Sequence, residues 1–323
     1  MKMQFLSNTG LQVSGLCMGT MTFGREADAA MSAAIFKRCR EAGINFFDCA
    51  NIYAKGQSEV ILGGLIRDCR SEVVITSKVY FGEGLKREGL SRQTIMTAAE
   101  ASLKRLNTDR IDLYFAHHFD EEVPLEESLK AMDDLVRQGK VLHLGASNFA
   151  AWQVEKALGI SARQGWAGFK CIQPMYNLVK RQAESEILPM AQAEHLAVIT
   201  YSPLGGGVLT GKYIAKEKPS AGRMLTDTVY QRRYGEDAVQ ESACRFALFA
   251  KERGFHPVSL ALAWVAHHPA VTAPIVGARN LEQLENCLNA LKISMTPDLY
   301  RDLSALSPAP PLATDRNDEL PAP

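Results

Sequence analysis

The chain has 323 residues, of which 46% are hydrophobic and 22% charged, and its 36 basic and 36 acidic side chains cancel in net charge. This composition is typical of a globular protein with a full core, and the lack of basic clusters argues against nucleic acid or an acidic membrane surface as a partner. No stretch reaches transmembrane length, and the start MKMQFLSNTG lacks the apolar core of a signal peptide, so the expected location is cytoplasmic.

Short apolar runs alternate with helix-like segments along the chain. The opening QFLSNTGLQVS predicts a hairpin that turns at residues 8–10. Eight later runs predict strands: LCMG, INFFD, VVITS, IDLYFA, VLHLGAS, CIQP, LAVITYS and APIVGA. Helices are predicted at 28–43, 58–70, 91–106, 125–138, 150–158, 184–194, 240–253, 258–268 and 280–291.

The eight strand-and-helix units predict an α/β protein. Continuous apolar strands followed by helices fit a parallel sheet covered on both faces, and eight units favour a closed (β/α)₈ TIM barrel over an open doubly wound sheet. With no internal repeat or linker, residues 1–307 are predicted to form one domain, and the Pro-rich tail 308–323 is predicted to be disordered. The irregular segment 213–240 is too long for a structureless loop, which indicates a functional or partly helical segment.

Four ionisable residues stand at the ends of three successive predicted strands. Asp48 ends INFFD, Tyr53 follows five positions later, Lys78 ends VVITSK and His117 ends IDLYFAH. Each alone is a common turn or surface residue, but in a barrel the carboxyl ends of the strands meet at the active site. We therefore expect a carboxylate, a phenol, an ammonium and an imidazole in one place, where a proton can be delivered to a carbonyl oxygen.

Three competing kinds of site lack their motifs. The stretch 206–212 nearly matches a phosphate-binding P-loop, but Tyr213 stands where Ser or Thr should meet the metal. No GxGxxG follows a first strand, and the histidine pairs 117–118 and 267–268 lack the spacing of metal ligands, so no metal is predicted. The seven cysteines include no CxxC pair and are expected to be buried thiols, with Cys49 lacking a paired base.

The dispersed motifs together resemble the aldo-keto reductases. The resemblance covers about residues 3–292 in consistent order, and the block SPLGGGVLTGKY is most similar to bacterial reductases near the potassium-channel β subunits. The matching segments are GLCMGTMTFG, FFDCANIYAKGQSE, VVITSK, RIDLYFAHHFD, GKVLHLGASNF, IQPMYNLV, TYSPLGGGVLTGKY and PIVGARNLEQLEN. The resemblance implies the barrel, NADPH and the reversible reduction of a small aldehyde or ketone.

Carbonyl reduction gives each of the four residues a role. Tyr53 is the expected proton donor. A free phenol has a pKa of about 10, too high for easy proton transfer at neutral pH, and the Lys78 ammonium is expected to lower that pKa. Asp48 would keep Lys78 charged and oriented, and His117 would hydrogen-bond the carbonyl oxygen.

The resemblance also implies where NADPH binds. Arg279 is expected at the 2′-phosphate, which predicts preference for NADPH over NADH. Independently of the resemblance, the arginines and tyrosines of segment 213–240 suit either a flap over the cofactor or a solvated insertion, and on the flap interpretation Arg223 is a candidate phosphate contact. Cys287 departs from the family, which usually has Asn beside the adenine. The nicotinamide pocket is expected at Gly19, Thr20, Met21, Asp48, Ser147, Asn148, Gln173 and Tyr201. The pyrophosphate loop is expected at Ser202, Pro203, Leu204, Gly206 and Lys212, and the adenosine end at Gly277, Arg279, Gln283 and Asn286.

An NADPH-binding regulatory subunit with little or no turnover is the alternative. Such subunits, like the channel β subunits, are expected to carry an amide residue where this chain has His117, and to have a long N-terminal extension before the barrel. The given sequence differs in both respects, which favours the reductase. The substrate itself is not predicted, because specificity lies in variable loops, here 79–89 and 213–240. The sequence makes no prediction of oligomeric state or of the preferred reaction direction.

Overall fold

The computed structural model describes residues 1–82, 84, 86–213 and 222–314. Its centre is a closed barrel of eight parallel strands, and neighbouring strands in the barrel follow chain order. The last barrel strand pairs with both the first and the seventh strand of the barrel, which closes it. This confirms the predicted (β/α)₈ barrel. The barrel strands are β3 (Cys17–Gly19), β4 (Phe46–Asp48), β5 (Val74–Val79), β6 (Ile111–Ala116), β7 (Val141–Ser147), β8 (Phe169–Gln173), β9 (Ala197–Thr200) and β10 (Ala273–Val276).

The predicted N-terminal hairpin is confirmed and closes one end of the barrel. Strands β1 (Met3–Phe5) and β2 (Gln12–Ser14) pair antiparallel. Leu6 and Val13 of this hairpin are fully buried and pack with the inward-facing side chains of the barrel strands, such as Phe46. The interior of the barrel is therefore filled by side chains, and its open end is the one at the carboxyl ends of the strands.

The helices cover the outside of the barrel and bury a second, larger apolar layer against it. Two of their starts follow the sequence signals, since Asp28 and Ser91 each accept a hydrogen bond from the backbone N–H of the third residue of their helix. The helices are α1 (Ala29–Glu41), α2 (Gln57–Ile66), α3 (Arg92–Leu106), α4 (Leu125–Arg137), α5 (Ala151–Gln164), α6 (Ile187–Ala193), α7 (Arg223–Thr226), α8 (Thr228–Tyr234), α9 (Asp237–Glu252), α10 (Pro257–His267), α11 (Leu281–Leu288) and α12 (Pro297–Ser304).

Two helices differ from the prediction. Helix α5 continues through Gly159 to Gln164 and is capped by Gly165, because the burial of Ile160 and Ser161 outweighs the weak helix propensity of one glycine. Helix α12 was not predicted, although Thr296 caps it and a proline occupies its first turn. Both signals were present in the sequence TPDL.

The segment 213–240 contains helices α7, α8 and the start of α9, as expected for a partly helical segment. Residues 214–221 lie outside the described residues, as do residues 83 and 85 of the loop 79–89 and residues 315–323 of the predicted disordered tail. Closure of the segment over a cofactor stays a prediction. Throughout the ranges that the structure describes, no helix has the length and apolar character needed to cross a membrane.

Candidate active site

A large cavity of about 1870 Å³ opens at the carboxyl ends of the barrel strands. Pockets for drug-sized ligands usually measure about 300–1,000 Å³, so this one is larger than a site for a single ligand of that size. Of the predicted catalytic and cofactor residues, all line the cavity except two, Thr20 and Lys78. Both are fully buried behind its wall, where the Thr20 hydroxyl donates a hydrogen bond to the Asp48 carbonyl oxygen at 3.0 Å.

Lys78 is the centre of the predicted catalytic group. It lies on β5 and is fully buried, and its Nζ donates to Asp48 Oδ2 at 2.7 Å and to the Cys49 carbonyl oxygen at 2.6 Å. Its third contact is the Tyr53 hydroxyl oxygen at 3.3 Å. An ammonium has three donors, so these three partners fix both its position and its orientation.

Asp48 is held from both sides at the end of β4. Its Oδ1 accepts from the Thr76 hydroxyl at 2.7 Å and from Gln173 Nε2 at 2.8 Å, while Oδ2 accepts from Lys78. The buried carboxylate is thus fully hydrogen-bonded, as a buried charge must be to avoid a large desolvation cost. Burial lowers the pKa of Lys78, but the negative charge of Asp48 and its hydrogen bond outweigh burial and raise that pKa above its ordinary value. The pair is therefore an ion pair.

The direction of the Tyr53 shift differs from the sequence expectation. Burial raises the pKa of the Tyr53 phenol to about 12, and although Lys78 lowers it, the negative charge of Asp48 opposes that effect. The ammonium does not act alone, because burial of the phenol and the charge of Asp48 together outweigh its effect on that pKa. Tyr53 consequently holds its proton at neutral pH, as a proton donor must.

His117 follows β6 and lies beside Tyr53, with ring centroids 6.4 Å apart. Burial, and then the positive charge of Lys78, lowers the pKa of His117 well below its ordinary value, so the imidazole is neutral. Its Nδ1 is buried without a hydrogen-bond partner. The Phe81 ring stands edge-on to the imidazole at 5.3 Å, and Phe81 also lines the cavity. Phe81 lies in the loop 79–89 that the sequence analysis names for specificity, but only the fold shows that it contacts His117.

Four of the residues predicted for the nicotinamide form one hydrogen-bonded network, whose two halves are joined by Asn148 Nδ2 donating to the Ser147 hydroxyl oxygen at 3.2 Å. The Tyr201 hydroxyl donates to Asn148 Oδ1 at 2.7 Å, and Asn148 Nδ2 donates to the His117 carbonyl oxygen at 2.8 Å. The Ser147 hydroxyl donates to the Gln173 carbonyl oxygen at 3.0 Å. Because Gln173 also donates to Asp48, this network joins the catalytic group directly.

Three cationic side chains, those of Lys212, Arg223 and Arg279, line the cavity. Burial lowers the pKa of Lys212, and the nearby Arg279 and Arg223 lower it further, which indicates cations held close together. Glu26 stands 3.8 Å from Arg279 Nη2. Gly206 has a left-handed φ of 65°, and a Cβ there would lie 2.4 Å from the Tyr230 ring, so the loop needs glycine. A glycine-rich turn beside three cations fits an anionic ligand such as a phosphate.

Comparison with known proteins decides the family. A family model described as "Aldo/keto reductase family" matches residues 15–308. The chain belongs to the aldo/keto reductase family. This membership places it among oxidoreductases, in agreement with the resemblance inferred from its motifs.

Relatives within the aldo/keto reductase family carry different names. A Bacillus subtilis (strain 168) protein named "Uncharacterized oxidoreductase YrpG" is 37% identical, over 96% of this chain and 97% of its own. An Oryza sativa subsp. japonica protein named "Probable voltage-gated potassium channel subunit beta" is 34% identical, over 98% of this chain and 99% of its own. A Homo sapiens protein named "Aldo-keto reductase family 7 member A3" is 37% identical, over 84% of this chain and 87% of its own.

Neither a reactive thiol at Cys49 nor a metal site finds support in the described part of this aldo/keto reductase. Burial raises the pKa of the Cys49 thiol to about 12, so it is not a reactive thiolate. Among residues 1–82, 84, 86–213 and 222–314, no group of three or more His, Cys, Asp or Glu side chains could hold a metal ion.

Proposed function

We propose that this protein is an NADPH-dependent reductase of aldehydes or ketones, with Tyr53 as the proton donor. The observation that carries the proposal is the contact of one buried ammonium, on Lys78, with both the Asp48 carboxylate and the Tyr53 hydroxyl. This group stands beside a neutral His117 on the wall of an open cavity.

The bound nicotinamide would supply the hydride for the reduction. Tyr53 then donates its proton to the carbonyl oxygen as negative charge develops there, and the phenolate that remains faces the Lys78 ammonium. A neutral imidazole has one N–H, which lets His117 donate a hydrogen bond to the same oxygen and orient it. Ser147, Asn148, Gln173 and Tyr201 would hold the nicotinamide, and Lys212, Arg223 and Arg279 the phosphates.

Turnover with a panel of carbonyl compounds tests the proposal. We expect purified protein to oxidise NADPH in the presence of at least one class among sugars, short aldehydes, aromatic aldehydes and quinones, measured as loss of nicotinamide absorbance. Tight NADPH binding without turnover on any class would instead favour the regulatory-subunit alternative. The relatives named as potassium channel β subunits motivate that alternative.

Removal of Arg279 is expected to weaken NADPH binding about tenfold or more and to change NADH binding less than about threefold. A charge-assisted hydrogen bond to the 2′-phosphate contributes about 1.5–3 kcal/mol, and NADH lacks that phosphate. The measurement is a fluorescence titration of Arg279→Ala with each cofactor. The matched control is Arg301→Ala, which removes an exposed arginine on α12 that pairs with Asp298. Equal losses for the two cofactors would reject the assignment of Arg279.

A further inference from the structure

The backbone directly after Tyr53 adopts an unusual conformation. Ala54, Lys55 and Gly56 are left-handed in succession, with φ values of 49°, 55° and 88°. This region is disfavoured for residues that carry a Cβ atom, and such turns persist only where the surrounding structure fixes them. Tyr53 is the first residue of this turn, so whatever fixes the turn also fixes the direction of the phenol.

A buried carboxylate connects the turn to the strand that carries Lys78. Glu59 is fully buried on α2, three residues after the turn. Its Oε1 accepts from the Ser77 hydroxyl at 2.5 Å and its Oε2 from Arg105 Nε at 2.6 Å. Ser77 directly precedes Lys78 on β5, so this one side chain links the helix that follows Tyr53 to the backbone beside Lys78.

Arg105 completes the connection from α3. Its side chain lies against Gly56, where a Cβ would come 2.9 Å from Arg105 Cδ. Position 56 therefore needs glycine both for its left-handed φ and for the close approach of the arginine. Arg105 thus contacts the turn on one side and Glu59 on the other.

We propose that Glu59 and Arg105 are positioning residues that fix the Tyr53 hydroxyl relative to Lys78. The inference rests on the proposed function, because it assigns the pair to the proton-transfer step. The 3.3 Å contact between Tyr53 and Lys78 joins two separate segments, a turn and a strand. The Glu59–Arg105 pair is hydrogen-bonded to the strand through Ser77 and packs against the turn at Gly56. Displacement of a reacting group by about 1 Å can lower a rate about 100-fold, so a loosened turn should act on the chemical step.

Arg105→Met is the first test. We expect kcat to fall about tenfold or more, with KM and the NADPH dissociation constant within about threefold, and Arg105→Lys to recover most of the lost rate because an ammonium can still pair with Glu59. The matched control is Arg92→Met, which removes another arginine–carboxylate bond, to Asp134, from the same helix. This control should leave kcat unchanged. A rise in KM with kcat intact would make Arg105 a substrate contact and overturn the proposal.

Gly56→Ala gives an independent test if Arg105→Met does not fold, as judged by circular dichroism. It keeps Glu59, Arg105 and Ser77 but disturbs the turn, so we expect the same selective loss of kcat. Unchanged kcat in folded Gly56→Ala or Arg105→Met protein would reject the positioning role of Glu59 and Arg105.

Hydrogen exchange separates failure of this inference from failure of the proposed function. If the wild-type protein has no turnover, the proposed function fails. The positioning role still predicts that backbone exchange at residues 53–56 is at least about tenfold faster in Arg105→Met than in Arg92→Met, because the turn loses its contact with the Arg105 side chain. Equal exchange in the two variants would overturn the inference on its own.

Discussion

Tyr53→Phe is expected to lower the rate of carbonyl reduction by about 10²–10⁴-fold, the usual contribution of a positioned general acid. The substitution removes one hydroxyl and keeps the ring, so the packing against His117 and the cavity wall remains. NADPH affinity should change little, because the proposed cofactor contacts lie on other side chains. Steady-state kinetics with the best substrate of the panel, together with an NADPH titration, measure both quantities.

The control for this substitution is Tyr300→Phe. Tyr300 lies on α12, where its ring stacks on Trp264 at 5.7 Å, outside the predicted site. Its loss of a hydroxyl should leave turnover unchanged. If Tyr53→Phe reduces reactive aldehydes at nearly the wild-type rate, another group delivers the proton and the role proposed for Tyr53 is wrong.

Lys78→Met is expected to abolish most turnover and also to destabilise the fold by about 3–5 kcal/mol. The substitution leaves the Asp48 carboxylate buried without its cation, and an uncompensated buried charge costs about that much. Lys78 is fully buried and Asp48 only 2% exposed, so water cannot replace the lost partner. Urea unfolding followed by circular dichroism measures the free energy of unfolding, and the carbonyl panel measures the turnover.

The double variant Asp48→Asn, Lys78→Met separates stability from chemistry. With both charges gone, much of the lost free energy of unfolding should return, since no unpaired charge stays buried. Turnover should remain low, because Tyr53 still lacks the ammonium beside its hydroxyl. A single Lys78→Met variant as stable as the wild type would show that Asp48 and Lys78 are not a buried ion pair.

The barrel and the position of its site were predictable because they depend on pattern alone. Strand-length apolar runs recur eight times, and Asp48, Lys78 and His117 stand where those runs end. In a parallel barrel such positions converge whatever the side chains between them are. The roles expected of Ser147, Asn148 and Tyr201 came instead from the resemblance of their motifs to the aldo-keto reductases, and they stay predictions.

The electrostatics of the site could not be predicted, because they depend on burial and on partners distant in sequence. The sequence suggests that Lys78 lowers the pKa of Tyr53, but it does not report that the phenol is buried or that Asp48 opposes the ammonium. Arg105 lies 46 residues after Glu59 on another helix, and no spacing rule joins them. Phe81 reaches His117 only through the path of a loop.

The hairpin that closes one end of the barrel also constrains the order of events at the site. With that end sealed by Leu6, Val13 and the inward-facing side chains, both reactants must use a single mouth. The groups proposed for the nicotinamide, among them Gln173 at 3% exposure, line the cavity that opens there. If the nicotinamide binds at these buried groups, as proposed, it shares its way in with the substrate. We therefore expect the cofactor to bind before the substrate and to leave after the product.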